Sequence, residues 1–106
     1  MTDKKQCRFL SMTYKLKFHP DALKEWHRLR DTDKSYFKKK LTERLKEPHI
    51  PSAKLTGGIN LYKIKRKKPP LRLTYHVNDT DFIVTTLSVG KRDGQVYQHM
   101  INRYRR

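Results

Sequence analysis

The sequence predicts an α+β domain in which a small antiparallel sheet carries two N-terminal helices packed on it and a short C-terminal helix. Two helical patterns follow one short alternating segment near the N-terminus, and three strand-like segments separated by turn residues come after them. Strands joined by short turns pair as antiparallel hairpins, so helices and hairpins are segregated along the chain. A length of 106 residues fits one such domain with a modest core.

The domain is expected to occupy residues 14–106, after a loose N-terminal extension at residues 1–13. The extension shows no hydrophobic period. Met12 stands just before the first strand, and a product that began there would keep nearly all of the predicted core. We therefore expect residues 1–11 to be dispensable for folding and activity.

The first strand and the first helix come from the segment that follows. Residues 14–18 alternate apolar and basic side chains, as a strand with one solvated face does. Pro20 then suits the first turn of a helix. Leu23, Trp26 and Leu29 recur at three-residue spacing and predict its buried stripe. Trp26 is therefore interpreted as a core residue rather than as a platform for stacking a base.

A second helix is predicted to run to about Lys46, because Pro48 and Pro51 end the helical pattern. Asp31 or Thr32 is suited to cap its N-terminus. The apolar positions recur every four residues and predict the buried side of this helix: they are Phe37, Leu41 and Leu45. Several cations are expected to lie largely on the outer side: they are Lys38, Lys39, Lys40 and Arg44.

Three strands and a short helix complete the domain. Strands are predicted at residues 61–68 and 71–77, with Pro69-Pro70 giving a wider or irregular turn, because tight two-residue hairpins prefer Gly or Asn. Residues 82–89 form the most apolar segment, are rich in β-branched side chains, and are predicted to be the central strand. Residues 95–104 indicate a short basic helix.

The charge of the chain is extreme. The formal net charge is +16, and the sequence pI is about 10.2. Such an excess of cations works against the compact state through self-repulsion, so an anionic partner is expected, with nucleic acid as the first candidate. An acidic protein partner would also lower the repulsion.

Other features exclude whole classes of function. The one cysteine, Cys7, rules out an internal disulfide, and the cysteine and histidines do not show the spacing of a zinc site. No apolar run approaches the length of a membrane span, and the charged N-terminus does not resemble a signal peptide. We expect a cytoplasmic protein that needs no metal and no other cofactor.

The most informative stretch is the cationic segment at residues 61–75, LYKIKRKKPPLRLTY. Its period of two places Lys63 and Lys65 on one face of a strand, while the apolar residues between them point into the core. Arg72 alternates in the same way on the next strand. Two adjacent strands would then bring Lys63, Lys65 and Arg72 onto one surface, which is suited to a polyanion.

RNA is a substrate that such a surface could cleave, because RNA carries its own nucleophile, the 2′-hydroxyl. A protein then needs to orient this hydroxyl, remove its proton, stabilise charge on the phosphate and protonate the leaving 5′-oxygen. Lysine and arginine supply the electrostatic part, and a tyrosine beside cations could supply a base. Charge alone favours a surface that only binds RNA over one that cleaves it.

Five segments carry a resemblance to a known family: DALKEWHRL (21–29), AKLTGG (53–58), LYKIKRKKPPLRLTYHV (61–77), SVGKR (88–92) and VY (96–97). They resemble the RelE family, the ribosome-dependent mRNA endoribonuclease toxins of bacterial type II toxin–antitoxin systems. The similarity covers about residues 14–104. It implies the same small sheet with two N-terminal helices and a short C-terminal helix.

The resemblance also implies roles for individual residues. Lys65 or Tyr97 would activate the 2′-hydroxyl, and the sequence leaves open which of them is the base. Arg72 would stabilise the phosphorane-like charge, Arg92 would assist the leaving 5′-oxygen or the phosphate, and Lys63 would bind and orient RNA. Three further RNA-binding cations in or near the turn are expected to help docking more than chemistry: they are Arg66, Lys67 and Lys68.

The resemblance implies partners as well. In this family the ribosome supplies part of the site, because the A site on its small subunit holds mRNA in the reactive geometry. A cognate RelB-like antitoxin neutralises the toxin. Two departures from the family pattern bear on the RNA contacts. Leu71 stands where close relatives often carry an aromatic residue, and the loop reads RKKPP where the family often has glycine.

Two other functions stay open at this stage. A ParE-like toxin shares the fold and targets DNA gyrase, although the lysine pair, Arg72 and Tyr97 together favour the nuclease. A basic RNA-binding protein without catalysis would explain the charge, but the standard RNA-recognition signatures are absent.

Overall fold

The structure, a computed structural model, describes residues 13–105 and contains all seven predicted elements. They are β1 (Lys15–Phe18), α1 (Pro20–His27), α2 (Asp31–Lys46), β2 (Leu61–Arg66), β3 (Leu71–Asn78), β4 (Ile83–Lys91) and α3 (Val96–Tyr104). A 3-10 turn at Pro51–Ala53 lies in the loop between α2 and β2. The N-terminal extension expected at residues 1–13 lies outside the described residues except for Thr13.

The sheet has four strands in the order β1-β4-β3-β2. β2 pairs with β3, and β3 with β4, as antiparallel neighbours, and the turn at residues 67–70 is wider than a two-residue hairpin, as predicted. The α+β class is confirmed, but the sheet is mixed and not wholly antiparallel, because β1 lies parallel to β4. The two helices carry the chain from β1 to the far edge of the sheet, and β4 returns beside β1 in the same direction.

Helices α1 and α2 cover one face of the sheet and enclose the main core. Trp26 packs edge-on against Phe18 with ring centroids 5.4 Å apart, which confirms its interpretation as a core residue. The placement of Leu23 in the buried stripe was wrong, since Leu23 is 39% exposed while Ala22 is fully buried. Helix α1 faces the sheet through the small side chain of Ala22, and this turns Leu23 toward solvent.

The predicted cap of α2 was also wrong. The N-cap is Arg30, whose side chain makes no capping hydrogen bond, and the helix already begins at Asp31. Asp31 and Asp33 therefore lie inside the first turn, where their negative charge complements the helix dipole instead of capping a free amide.

Helix α3 covers part of the other face of the sheet. Met100 packs there with Leu61 and Leu87 in a second, smaller cluster. The Tyr104 hydroxyl accepts a hydrogen bond from the backbone nitrogen of Ile59 at 3.1 Å and closes one end of this cluster. The helix spans only part of this face, so the half of the face next to the turn at residues 67–70 stays open.

A partly buried ion pair joins α1, β4 and α3. Arg103 donates two hydrogen bonds to the Glu25 carboxylate, at 3.0 and 2.9 Å, and a third to the carbonyl oxygen of Leu87 at 2.7 Å. Glu25 also accepts from the backbone nitrogen of Val89 at 3.1 Å. Leu87 is the extra residue of a β-bulge, because Thr74 pairs with Ser88 while the next residue of β3 pairs with Thr86.

The charge state of Glu25 follows from these contacts. Burial raises the pKa of this carboxyl, but the hydrogen bonds from Arg103 and Val89, together with the electrostatic attraction of Arg103 and His99, outweigh burial and hold the pKa below its usual range. A lowered folded-state pKa means that Glu25 contributes stability above its unfolded pKa, about 4.3, and that this contribution is lost as the pH falls through the lowered value.

Replacing Glu25 by Gln should therefore destabilise the protein in a pH-dependent way. Glu25→Gln keeps the shape of the side chain but removes its charge, so we expect the free energy of unfolding to fall by about 1–3 kcal/mol at pH 7. Urea unfolding at a series of pH values measures this loss, which should shrink below pH about 4.3. A loss that does not change with pH would show that the charge of Glu25 is not what stabilises the fold.

Candidate active site

The strand register brings six positions into two rows on the face opposite α1 and α2. The first row crosses β2, β3 and β4 and consists of Lys65, Arg72 and Gly90. The second row crosses the same strands and consists of Lys63, Thr74 and Ser88. The register thus confirms that the three cations predicted from the period of two share one face of the sheet.

Arg72 is held close to the sheet. It is only 8% exposed, and its Nη1 donates to the carbonyl oxygens of Leu71 at 2.9 Å and Arg66 at 3.3 Å. Lys65, its partner across the strand pair, is exposed, and Lys63 is half-buried. The first row therefore combines a fixed, delocalised positive charge with a lysine that reaches solvent.

Helix α2 supports the lysine strand from its outer edge. The Tyr36 hydroxyl donates to the carbonyl oxygen of Lys65 at 2.8 Å, and Arg44 Nη1 donates to the carbonyl oxygen of Lys63 at 3.1 Å. Arg44 also donates to the Tyr75 hydroxyl at 2.8 Å. The prediction that Arg44 lies on the outer side of α2 was wrong, because the guanidinium folds inward to hold the backbone of β2.

A pair of hydroxyl groups connects the second row to α3. The side-chain oxygens of Thr74 and Ser88 lie 2.6 Å apart, and Ser88 donates to the carbonyl oxygen of Val96 at 2.7 Å. We call these three groups the hydroxyl link. It ties the first turn of α3 to the sheet beside the two rows.

Arg92 and Tyr97 lie at the same end of the domain. Arg92 directly follows β4 and is exposed, and its backbone nitrogen donates to the carbonyl oxygen of Pro70 at 2.8 Å. Tyr97 is half-buried and directly follows Val96, the residue that the hydroxyl link holds. Arg92 thus lies beside the turn at residues 67–70, and Tyr97 lies one residue after the α3 residue that contacts Ser88 of the second row.

The three cations assigned to RNA docking separate into two groups. Lys67 and Lys68 are exposed in the turn next to the first row. Arg66 instead lies on the helical side of the sheet, where its guanidinium sits 4.5 Å from the Tyr36 ring centroid and its Nε lies 3.1 Å from Oδ1 of the buried Asp33. Arg66 is therefore engaged in holding α2 to the end of β2.

A groove of about 630 Å³ opens on the helical side of this end of the sheet. Its walls carry three acids and three cations beside apolar residues such as Leu29 and Leu71: the charged residues are Glu25, Asp33, Asp93, Arg28, Arg30 and Lys91. The acids in the groove offset its cations, whereas the two rows on the open face hold three cations and no acid, so the open face is the better candidate for binding phosphate.

Two features are absent from residues 13–105. Within this range, His, Cys, Asp and Glu side chains form no group of three or more that could hold a metal ion. In the same range, no helix combines the length and the apolar character needed to cross a membrane.

The arrangement can stabilise negative charge that develops on a phosphate. Lys65 and Arg72 stand opposite each other on neighbouring strands, and two hydrogen bonds hold the Arg72 guanidinium, so the charge of Arg72 needs little reorganisation as the reaction proceeds. Gly90 completes the row without a side chain, and a Cβ placed there would meet no atom within 4 Å. The space beside Arg72 is therefore open to a bound group.

Sequence reasoning missed several residues that shape this site. Thr74 and Gly90 follow from the period of two once the strand register is known, since Thr74 stands two residues after Arg72 and Gly90 two residues after Ser88. The roles of Tyr36 and Arg44 depend on how α2 crosses the edge of β2. A single sequence carries no signal for that crossing.

The fold and the two rows place the chain among small α+β proteins that present cations on one open face of a sheet. The profile of a family described as the ParE toxin of the type II toxin–antitoxin system parDE matches residues 16–96. The mRNA interferase toxin RelE of Escherichia coli strain K12 is 43% identical over 93 residues, which are 87% of this chain and 98% of that protein.

Solved structures agree with this relationship. Free E. coli toxin RelE carrying two arginine-to-alanine substitutions superimposes with a TM-score of 0.81 at 42% identity, covering 87% of this chain and 98% of that one. A chain of the intact E. coli RelBE toxin–antitoxin complex gives a TM-score of 0.74 at 43% identity, covering 76% and 99%. The chain belongs to the RelE family of type II toxin–antitoxin toxins.

Two glycines should respond to substitution in opposite ways. Gly90→Ala should leave the free energy of unfolding unchanged or raise it by about 0.5 kcal/mol, because glycine within a strand is destabilising and the new Cβ meets no atom within 4 Å. Gly58→Ala is the matched control and should cost about 1–3 kcal/mol, because its Cβ would lie 2.5 Å from the Tyr104 ring and 2.8 Å from Leu61. Urea unfolding measures both, and equal losses would contradict the open space beside Arg72.

Proposed function

We propose that this protein is a ribosome-dependent mRNA endoribonuclease that cleaves message in the ribosomal A site and so stops translation in the cytoplasm. The observation that carries the proposal is the pairing of Lys65 with Arg72 across neighbouring strands on an open sheet face, with the Arg72 guanidinium held by hydrogen bonds. It occurs in a chain 43% identical to a protein named mRNA interferase toxin RelE, of which it covers 98%.

The proposed reaction uses the RNA 2′-hydroxyl as nucleophile. The 2′-oxygen attacks the adjacent phosphorus, its proton passes to a base, and the bond to the 5′-oxygen breaks as that oxygen gains a proton. Lys65 or Tyr97 is the base in this scheme. Arg72 stabilises the charge that grows on the phosphate oxygens, and Arg92 assists the leaving 5′-oxygen or the phosphate.

The ribosome explains how so small a site could suffice. The rows lie on a shallow face that cannot enclose a flexible RNA strand, so another body has to hold the scissile bond in line. Holding the reacting groups in line can lower the activation barrier by roughly 7–11 kcal/mol. In the proposed complex, ribosomal RNA and mRNA are bound through Lys63, Lys67 and Lys68, and the high positive charge of the chain favours this encounter.

A RelB-like antitoxin is the proposed partner that keeps this activity in check. A net charge of +16 and an open cationic face favour an acidic partner, and the toxin chain of the E. coli RelBE complex is 43% identical to this chain. Inhibition would follow from covering the rows or from moving α3, which carries Tyr97.

Inhibition of DNA gyrase is the second candidate, because the matching family profile is described as a ParE toxin. A translation extract and a supercoiling assay separate the two functions. Cleavage of message only in the presence of ribosomes supports the nuclease, and loss of supercoiling supports gyrase inhibition. Binding to RNA with neither effect supports a basic RNA-binding protein.

Removing the groups that act on the phosphate should abolish cleavage while leaving the fold intact. We expect Arg72→Ala and Tyr97→Phe each to lower the cleavage rate on programmed ribosomes by about 100-fold or more. Lys17→Ala and Tyr14→Phe are matched controls at the opposite edge of the sheet and should cleave at the wild-type rate. Near-normal cleavage in both site variants would contradict the proposed site.

The turn lysines should act on binding rather than on chemistry. Replacing Lys67 and Lys68 by Ala should weaken ribosome binding in a salt-dependent way and leave the maximal cleavage rate and the urea midpoint unchanged. Arg66→Ala should instead lower the urea midpoint, because it leaves Asp33 buried without its nearest cation. A lower maximal rate in the lysine variant would show that the turn takes part in the chemistry.

A further inference from the structure

The hydroxyl link has a fixed direction. A serine hydroxyl carries one proton, and Ser88 gives that proton to the carbonyl oxygen of Val96. Ser88 must therefore accept from Thr74, so that hydrogen bonds run from β3 through β4 to the first turn of α3. Thr74 and Ser88 are both fully buried, and neither hydroxyl can touch a substrate.

The hydroxyls add little net stability compared with an apolar pair in their place. A buried hydrogen bond contributes only about 0.5–1.5 kcal/mol, and two apolar side chains of the same shape would fill the space equally well. The buried side chains of Val96 and Met100 already attach α3 to the sheet. The hydroxyls add a directional constraint, which fixes where the first turn of α3 stands along the strands.

The two ends of α3 are held by different contacts. Its C-terminal half is attached through Arg103, which binds Glu25, and through Tyr104, which binds the backbone of Ile59. Its first turn is attached by the hydroxyl link at Val96 and by His99, whose Nδ1 lies 3.3 Å from the Glu25 carboxylate. Loss of the link should therefore loosen residues 95–97 at the start of the helix, while the side-chain contacts of His99, Arg103 and Tyr104 stay in place.

We propose that Thr74 and Ser88 are positioning residues that hold Tyr97 at a fixed place relative to the first row, an inference that rests on the proposed function. Thr74 stands two residues from Arg72 on the same face of β3, and Tyr97 directly follows Val96. The link thus connects β3, which carries the phosphate-stabilising Arg72, to α3, which carries Tyr97 as a candidate base. A displacement of about 1 Å between such groups costs roughly 100-fold in rate.

A matched pair of variants of the full-length chain tests this inference. Thr74→Val removes the hydroxyl at nearly constant shape, and Thr74→Ser keeps the hydroxyl. Single-turnover cleavage is measured on programmed ribosomes over a range of ribosome concentrations. We expect Thr74→Val to lower the maximal rate by roughly 10- to 100-fold with the half-saturating ribosome concentration within about twofold of wild type, and Thr74→Ser to keep the rate within about threefold.

Ser88→Ala is the second variant, and it carries the same expectation for the rate if Thr74→Val fails to fold. Hydrogen exchange gives a readout that does not depend on activity. The amide of His99, which bonds the carbonyl oxygen of Gln95 at 2.8 Å, should exchange about tenfold faster in both hydroxyl-free variants. The amide of Arg105, which bonds the carbonyl oxygen of Ile101 at 3.2 Å, should not change.

Three results would overturn the inference. The first is a folded hydroxyl-free variant that cleaves within about threefold of the wild-type rate, and the second is a Thr74→Ser variant that loses as much rate as Thr74→Val. The third is a change in ribosome affinity with an unchanged maximal rate. A wild-type protein that does not cleave on ribosomes would overturn the proposed function instead, and the exchange of the His99 amide would still report whether the link holds α3.

Discussion

The ion pair between Glu25 and Arg103 is the contact on which the arrangement of the domain depends. It joins the first helix to the last across the edge of β4, and it binds backbone groups of Leu87 and Val89, which lie beyond the last β4 residue that pairs with β1. Helix α3 is thereby held over one half of a sheet face and leaves the other half open. The same pair therefore sets both the small second core and the boundary of the exposed cationic surface.

Rigidity in the proposed site comes from contacts outside it. Helix α2 holds the carbonyl oxygens of Lys63 and Lys65 from the outer edge, and the carbonyl oxygens beside the turn hold Arg72. The hydroxyl link holds the first turn of α3. A protein of 106 residues can thus present fixed charges on an open face, because the groups that fix them lie in the core, in a helix and in a turn.

The periodicity of the sequence predicted the fold more completely than it predicted the candidate site. The period of two placed Lys63, Lys65 and Arg72 correctly, because pleating alone decides which face a strand residue occupies. The parallel pairing of β1 and the inward turn of Arg44 depend on contacts between distant segments. The periodicity of a single sequence does not reveal such contacts. Arg92 and Tyr97 entered only through resemblance to the RelE family, and their catalytic roles stay predictions.

The outer edge of β2 has a consequence for how the protein behaves at high concentration. The outward carbonyl oxygens of Leu61, Lys63 and Lys65 already accept hydrogen bonds from Leu55, Arg44 and Tyr36 of the same chain. An edge strand whose carbonyl groups are occupied is a poor template for a strand from another copy, and its lysines add repulsion between copies. The strand that carries Lys63 and Lys65 is therefore protected against edge-to-edge aggregation.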